Sequence, residues 1–185
     1  MHPVVHTKIH SILKASDIKA DRLLEVGGRI DGTSLLLFPE FSQALERYCV
    51  NLEEMPADPR ITGITMNANH LDLFDDDHFD LVLCNATLEH DQRFWLTVAE
   101  MRRVLRPGGM MLVGVPGYVK HPRESVEAAI PVLNHHGRQD FYRFSGQAMR
   151  TVILEGLDRV TIDVVLTPPR IIGAGWKSPA RHRTR

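Results

Sequence analysis

The side chains best suited to chemistry in this chain of 185 residues are its histidines and the polar groups around them. His90 sits in the string CNATLEHD, and His121, His135 and His136 precede Asp140, Tyr142 and Arg143. An imidazole titrates near neutrality, so His90 and His121 are candidate general bases, with Tyr142 a third group able to move a proton. His90 equally reads as a packed and hydrogen-bonded residue at a helix start, and Tyr142 as a ring lying on a neighbouring segment. The histidine spacings match neither HExxH nor a zinc finger, so no metal is expected. Asp72, Asp75, Asp76 and Asp77 run in series, which suits a solvated turn better than a cage of ligands around one point. Gly27 and Gly28 follow the apolar run RLLEV. Such a pair either lets the backbone approach a ligand or makes a tight turn without one.

The elements that must position these groups are written in the apolar pattern. Phe79 to Cys84 is apolar except for Asp80, as expected of a parallel strand covered on both faces. Phe94, Val98, Met101 and Leu105 then recur at helical spacing, Pro107 ends the helix, Gly108-Gly109 turns the chain, and Met110 to Val115 is the next strand. A strand, helix, strand unit of this length forces a right-handed parallel crossover, with a polar break at Asn85 where an open sheet takes its ligand. Further strands are expected at Arg22 to Val26, Tyr48 to Leu52, Ile61 to Met66, Val160 to Leu166 and Ile171 to Ala174. Helices are expected at Ile9 to Lys14, Thr33 to Phe38 and Gly146 to Glu155, the last capped by Ser145 and stopped by Gly156, with Pro39 to Arg47 a connector.

The strings FDLVLCNATLEH, RVLRPGG and MMLVGVP resemble the second half of the class I S-adenosylmethionine-dependent methyltransferases, nearest the bacterial type 11 group. RLLEVGG resembles that family's first strand and glycine loop, and DFYRFSGQAMRTVILEGL its penultimate helix. The resemblance spans Leu23 to Val165. It implies an α/β fold: a doubly wound, mostly parallel, seven-stranded Rossmann-like sheet with an antiparallel closing strand. Residues 1–176 are then one domain carrying a lid insertion at 117–140, with one helix near Glu124 to Ile130, and 177–185 a basic, disordered tail.

The resemblance also implies a cofactor, S-adenosylmethionine, and the residues to hold it. Glu25, Gly27 and Gly28 would meet its methionine end, although Arg29 and Ile30 stand where a further glycine is usual, and Arg29 either pairs with the cofactor's carboxylate or, with Asp31, narrows the pocket. Asn51 occupies the position of the acid that takes the ribose hydroxyls; Glu53, on the same strand face, either substitutes for it or lies on the surface. Asn67 and Ala68 fall at the adenine, and Asn85 and Ala86 beneath the sulfonium. Leu71 and Phe74 either wall the adenine or belong to the core.

Composition narrows the function without choosing it. Hydrophobic residues make up 43% of the chain and formal net charge is −1, enough for one core and with no basic stripe to demand nucleic acid. No stretch of signal-peptide or membrane-span character occurs, so a cytoplasmic, membrane-free protein is expected. Cys49 and Cys84, without CxxC spacing, read as small core residues. The expected activity is methyl transfer to an O, N or C nucleophile of a small-molecule or sugar-containing acceptor. The short chain ahead of the first strand suggests an open site or one completed in a homodimer. The alternative is an inactive methyltransferase fold that binds a nucleoside or a partner. A nicotinamide dehydrogenase is disfavoured, because GxGxxG is absent.

Overall fold

A computed structural model describes residues 2–120, 127–128 and 139–179. The strands are β1 (Arg22–Val26), β2 (Glu46–Asn51), β3 (Thr62–Thr65), β4 (Phe79–Asn85), β5 (Leu105–Pro116), β6 (Val119–Lys120), β7 (Glu127–Ala128), β8 (Leu157–Val165) and β9 (Arg170–Lys177). The helices are α1 (Pro3–Ser16), α2 (Phe94–Val104) and the single turn α3 (Gly146–Ala148). Seven strands form one sheet in the order β3-β2-β1-β4-β5-β9-β8, parallel from β3 to β5, with β9 antiparallel to both of its neighbours. The order reverses between β1 and β4, which opens a crevice at their carboxyl ends. This is the fold expected from the sequence.

Side-chain alternation along the strands divides the core between two faces. Leu24, Val26, Val82, Cys84 and Met111 pack with Val98, Met101 and Val104 of α2. Leu23, Leu81, Leu83, Met110 and Leu112 pack on the other face with Val5, Ile9 and Leu13 of α1 and with Leu35, Leu36 and Phe41. At the opposite edge from the crevice, Asp80 accepts the N–H groups of Asp21 and Arg22 at 2.7 and 2.8 Å and pairs with Arg106, fixing three strand ends together.

Several elements differ from expectation for local reasons. Helix α1 begins at Pro3, where a missing N–H costs nothing, and the His2 ring accepts the Val4 N–H at 3.3 Å. The helix expected at Thr33 to Phe38 is a 3₁₀ turn, Leu35–Leu37, because Phe38 precedes Pro39 and is held extended. The helix expected at Gly146 to Glu155 is one α turn that widens into a π turn over Met149–Ile153; Ser145 caps it by accepting the Ala148 N–H at 3.0 Å. Helix α2 stops at Val104, and Leu105 enters β5 directly, opposite Phe79. Near Glu124 to Ile130 the two described residues, Glu127 and Ala128, form strand β7 in place of a helix. The remainder of the expected lid between 121 and 138, including His121, His135 and His136, lies outside the described residues, as does the expected tail from 180 on; its first residue, Lys177, instead closes β9 and pairs with Asp77 at 2.6 Å.

Candidate ligand cleft at the carboxyl ends of the central strands

The crevice is a cleft of about 300 Å3 reached from the ends of β1, β2, β3 and β4. Gly27 lines it where β1 ends, its N–H bonded to the Val50 carbonyl at 2.8 Å and its φ at +71°. A Cβ at this position would stand 2.2 Å from Thr87 Oγ1, so both the backbone conformation and the space require glycine. Ala86, at φ +56° and also lining the cleft, donates its N–H to the Gly114 carbonyl at 2.9 Å and turns the chain sharply out of β4.

Amides furnish much of the cleft's polarity. Asn51 Nδ2 donates to the Gly28 carbonyl at 2.7 Å, and its Oδ1 accepts the Glu53 N–H at 3.3 Å. Asn67 Oδ1 accepts the Asn69 N–H at 2.9 Å. Val50, Leu52, Met66 and Ala68 supply apolar surface between these groups. The cleft also contains a network that sequence reasoning missed: Asn69, Asp91 and Thr97, linked by side-chain bonds of 2.7 to 2.8 Å. Thr97 is 2% exposed and lies on the buried stripe of α2 with Val98 and Met101, and a polar residue on an apolar stripe is the signal that could have revealed it.

His90 lines the cleft and its Nδ1 lies 2.6 Å from the Gln139 carbonyl. A carbonyl only accepts, so Nδ1 is the donor in this contact. Gln139 and Phe141, from the segment after the expected lid, line the same cleft.

Other expected residues stand elsewhere. Glu25 is buried beneath the loop, not in the cleft: it accepts from Ser34 Oγ at 2.5 Å and from the Leu35 N–H at 3.1 Å, and burial raises its carboxyl to about 7 against those bonds. Gly28 is packed on this side chain; a Cβ there would meet Glu25 Cδ at 2.5 Å. Glu53 does not line the cleft, and Asn85 Oδ1 is buried against Gly114 without a hydrogen bond. The Tyr142 hydroxyl donates to the Gln92 carbonyl at 2.8 Å while its ring packs on Phe94, outside the cleft. Leu71 and Phe74 belong to the core. Arg29 and Asp31 are exposed and leave the cleft open. Cys49 and Cys84 are buried free thiols, both pushed well up by that burial.

One buried acid was not anticipated. Glu89 is 1% exposed, with Oε1 at 3.4 Å from Arg170 of β9 and Oε2 unpartnered. Burial raises its carboxyl against the pull of Arg170 and His90. Its backbone carbonyl accepts the N–H groups of Phe141 and Tyr142 at 2.7 and 3.3 Å, which lays that segment along the cleft. Among the described residues no group of His, Cys, Asp and Glu could hold a metal, and no helix is long and apolar enough to cross a membrane.

Comparison with known proteins agrees with this fold. Residues 37–113 match a family model described as the methyltransferase domain. No curated protein matches the sequence. Among solved structures, the 1,6-didemethyltoxoflavin-N1-methyltransferase of Burkholderia thailandensis, bound to 1,6-didemethyltoxoflavin and S-adenosylhomocysteine, aligns with a TM-score of 0.68 at 19% identity, covering 94% of this chain and 78% of its own. A chain from the complex of the Haloferax volcanii Trm112 methyltransferase activator with a methyltransferase aligns at 0.69 and 17% identity, over 96% and 91%. Phosphoethanolamine N-methyltransferase 2 of Haemonchus contortus, solved with phosphomonomethylethanolamine and S-adenosylhomocysteine, aligns at 0.69 and 14% identity, over 93% of this chain but 52% of that one. The chain has the fold of the class I S-adenosylmethionine-dependent methyltransferases, and its central part matches the methyltransferase domain family.

Proposed function

We propose that this protein transfers the methyl group of S-adenosylmethionine to an O, N or C nucleophile of a small-molecule or sugar-containing acceptor. The observation that carries this reading is the cleft itself: it lies at the switch point of the sheet, is unobstructed by Arg29 or Asp31, and combines apolar walls with amide groups. Its residues fit the cofactor. Gly27 and Ala86 would flank the methionine end, Asn51 offers Oδ1 to ribose hydroxyls, and Leu52, Met66 and Ala68 would cover a purine. When bound, the cofactor supplies an electrophilic methyl group, so the chain's own task is positioning, which can be worth about 7 to 11 kcal/mol. For an oxygen acceptor, His90 Nε2 is the base, because its Nδ1 proton is committed to Gln139. Residues 117–140 act as a lid, supported by the presence of Gln139 in the cleft wall. The protein works in the cytoplasm.

A second reading, a nucleoside-binding protein without catalysis, is favoured by the amides at 51 and 67 and by the withdrawal of Glu25 from the cleft. Calorimetric titration with S-adenosylmethionine and S-adenosylhomocysteine tests both readings, with Ala68→Trp as a variant that fills the cleft. Micromolar binding abolished by Ala68→Trp is expected. Absence of binding to either ligand overturns the cofactor reading, and binding without turnover on a broad acceptor panel selects the second.

A further inference from the structure

Leu88, Glu89 and His90 form a single 3₁₀ turn, so their side chains point in three directions. Leu88 enters the core, His90 lines the cleft, and Glu89 turns toward β9, where Arg170 Nη1 stands 3.4 Å from its Oε1. Strand register places Asn85 at the same end of the sheet and on the same face as Arg170: Asn85 pairs with Gly114, Gly114 with Ile172, and Arg170 is two residues ahead of Ile172. Gly114 leaves the room that the Asn85 amide occupies, since a Cβ there would meet its Oδ1 at 2.3 Å. These groups lie beside β4, β5 and β9, across β4 from the cleft residues that follow β1, β2 and β3.

Asn85 and Glu89 each keep a buried oxygen without a partner, Oδ1 and Oε2. An amide can turn to offer either polarity, whereas a carboxylate only accepts, so Glu89 decides what completes the pair. Its side chain is 1% exposed and has one contact of 3.4 Å where it could take several, which leaves the desolvation of Oε2 uncompensated until a donor arrives. The charged neighbours do not supply that donor: Arg143 is bound twice by Asp140, at 2.5 and 2.6 Å, and His90 Nδ1 faces the Gln139 carbonyl. A primary amine brings two hydrogens, or three when protonated, enough for Glu89 and Asn85 together; a hydroxyl brings one and a carbon nucleophile none. We infer, on the methyl-transfer reading of the cleft, that the acceptor nucleophile is the nitrogen of a primary amine and that Glu89 Oε2 binds it and takes its proton. The freed nitrogen lone pair then forms the bond to the methyl carbon as the carbon–sulfur bond breaks, with that bond's electron pair remaining on sulfur. Burial and the nearby Asp140 raise the Glu89 carboxyl against the pull of Arg170 and His90, which suits it to receive a proton.

The test is transfer of a labelled methyl group from S-adenosylmethionine to a panel of primary amines and their corresponding alcohols, with calorimetric titration of S-adenosylhomocysteine on the same preparations. The unsubstituted protein is expected to favour the amines by about 100-fold in kcat/KM at about pH 7. Glu89→Gln should lower kcat/KM on an amine by about 100-fold at that pH and leave S-adenosylhomocysteine affinity within about twofold. An alkylamine, titrating near pH 10, has about 100-fold more free base at about pH 9 than at about pH 7, so the loss should shrink there to within about threefold. A merely structural Glu89 would give the same loss at both. Urea midpoints separate unfolding of the variant from loss of proton transfer, and the preference for amines over alcohols needs no variant. Turnover of alcohols in preference to amines, or a loss in folded Glu89→Gln that is absent or independent of pH, overturns this inference and leaves the methyl-transfer reading standing. Failure of S-adenosylhomocysteine to bind, or binding without turnover of either class, overturns the methyl-transfer reading and this inference with it.

Discussion

Replacing Gly27 by alanine should expose how the end of β1 and the end of β4 are fitted together. The backbone at Gly27 sits at φ +71°, a conformation costing an L-residue about 1 to 2 kcal/mol. The added Cβ would also lie 2.2, 2.3 and 2.7 Å from Thr87 Oγ1, Cγ2 and Cβ, an overlap that no rotamer of Thr87 removes, because its own Cβ is involved. Overpacking of this kind costs about 1 to 3 kcal/mol. Gly27→Ala should therefore lose about 2 to 5 kcal/mol, a large fraction of a typical stability of about 5 to 15 kcal/mol. Thr87→Gly deletes all three offending atoms, so the double variant should recover the steric part and retain the conformational part. Urea denaturation of the four proteins gives the coupling energy, expected at about 1 to 3 kcal/mol in the direction of rescue. A cost below about 0.5 kcal/mol for Gly27→Ala, or additivity of the two substitutions, would refute the reasoning.

Two further outcomes follow from the buried acids. Glu25 holds its proton more tightly in the folded chain, at about 7 against an ordinary 4.5, so its contribution to stability is complete below pH 4.5 and is lost as pH rises to 7. The loss is about 3 kcal/mol across that window; Glu25→Gln should remove it, seen as the difference between urea midpoints of the two proteins from pH 4.5 to 8, and parallel profiles would count against it. Arg170→Met should cost about 3 kcal/mol by leaving the Glu89 carboxylate buried and unpaired, and adding Glu89→Gln should restore most of that; an unchanged melting temperature for Arg170→Met would show that the 3.4 Å contact carries nothing.

The sheet was legible in the sequence because burial on both faces leaves an unambiguous pattern. Phe79 to Cys84 can be little else than a covered strand, and the four-three-four spacing of α2 follows from its single buried face. The same alternation held information about Glu25 that family resemblance obscured. Glu25 shares strand parity with Leu23, which faces α1 and Leu35, so its side chain belongs beneath the loop with Ser34 and not in the cleft. What strand and helix periods do not carry is contact between distant residues. Asn69, Asp91 and Thr97 are separated by up to 28 positions, and each alone reads as an ordinary loop, cap or helix residue. Expected helices failed where local chemistry overrode an apolar run: Pro39 holds Phe38 extended, and Thr151, Val152 and Ile153 crowd the turn that widens after α3.

Asn51 and the altered glycine loop are one adaptation. An acid at position 51 would bring an acceptor oxygen to the place where Asn51 Nδ2 now donates, 2.7 Å from the Gly28 carbonyl, setting two acceptors against each other. The amide instead ties the end of β2 to the loop after β1. That loop is held by packing where related loops rely on further glycine: Ile30 is 5% exposed, and its Cδ1 would meet a Cβ on Gly63 at 2.9 Å, while Arg29 and Asp31 turn outward and pair at 3.5 Å. Both remaining glycines are required by the protein's own atoms, Gly27 by Thr87 and Gly28 by Glu25 and Cys49. The glycine pair would therefore be needed whether or not a ligand approached it. On the far side of the cleft Asn51, Asn67 and Asn69 carry amides whose orientations are already set by bonds to the chain. Preset amides save the ordering cost that a flexible side chain incurs on binding.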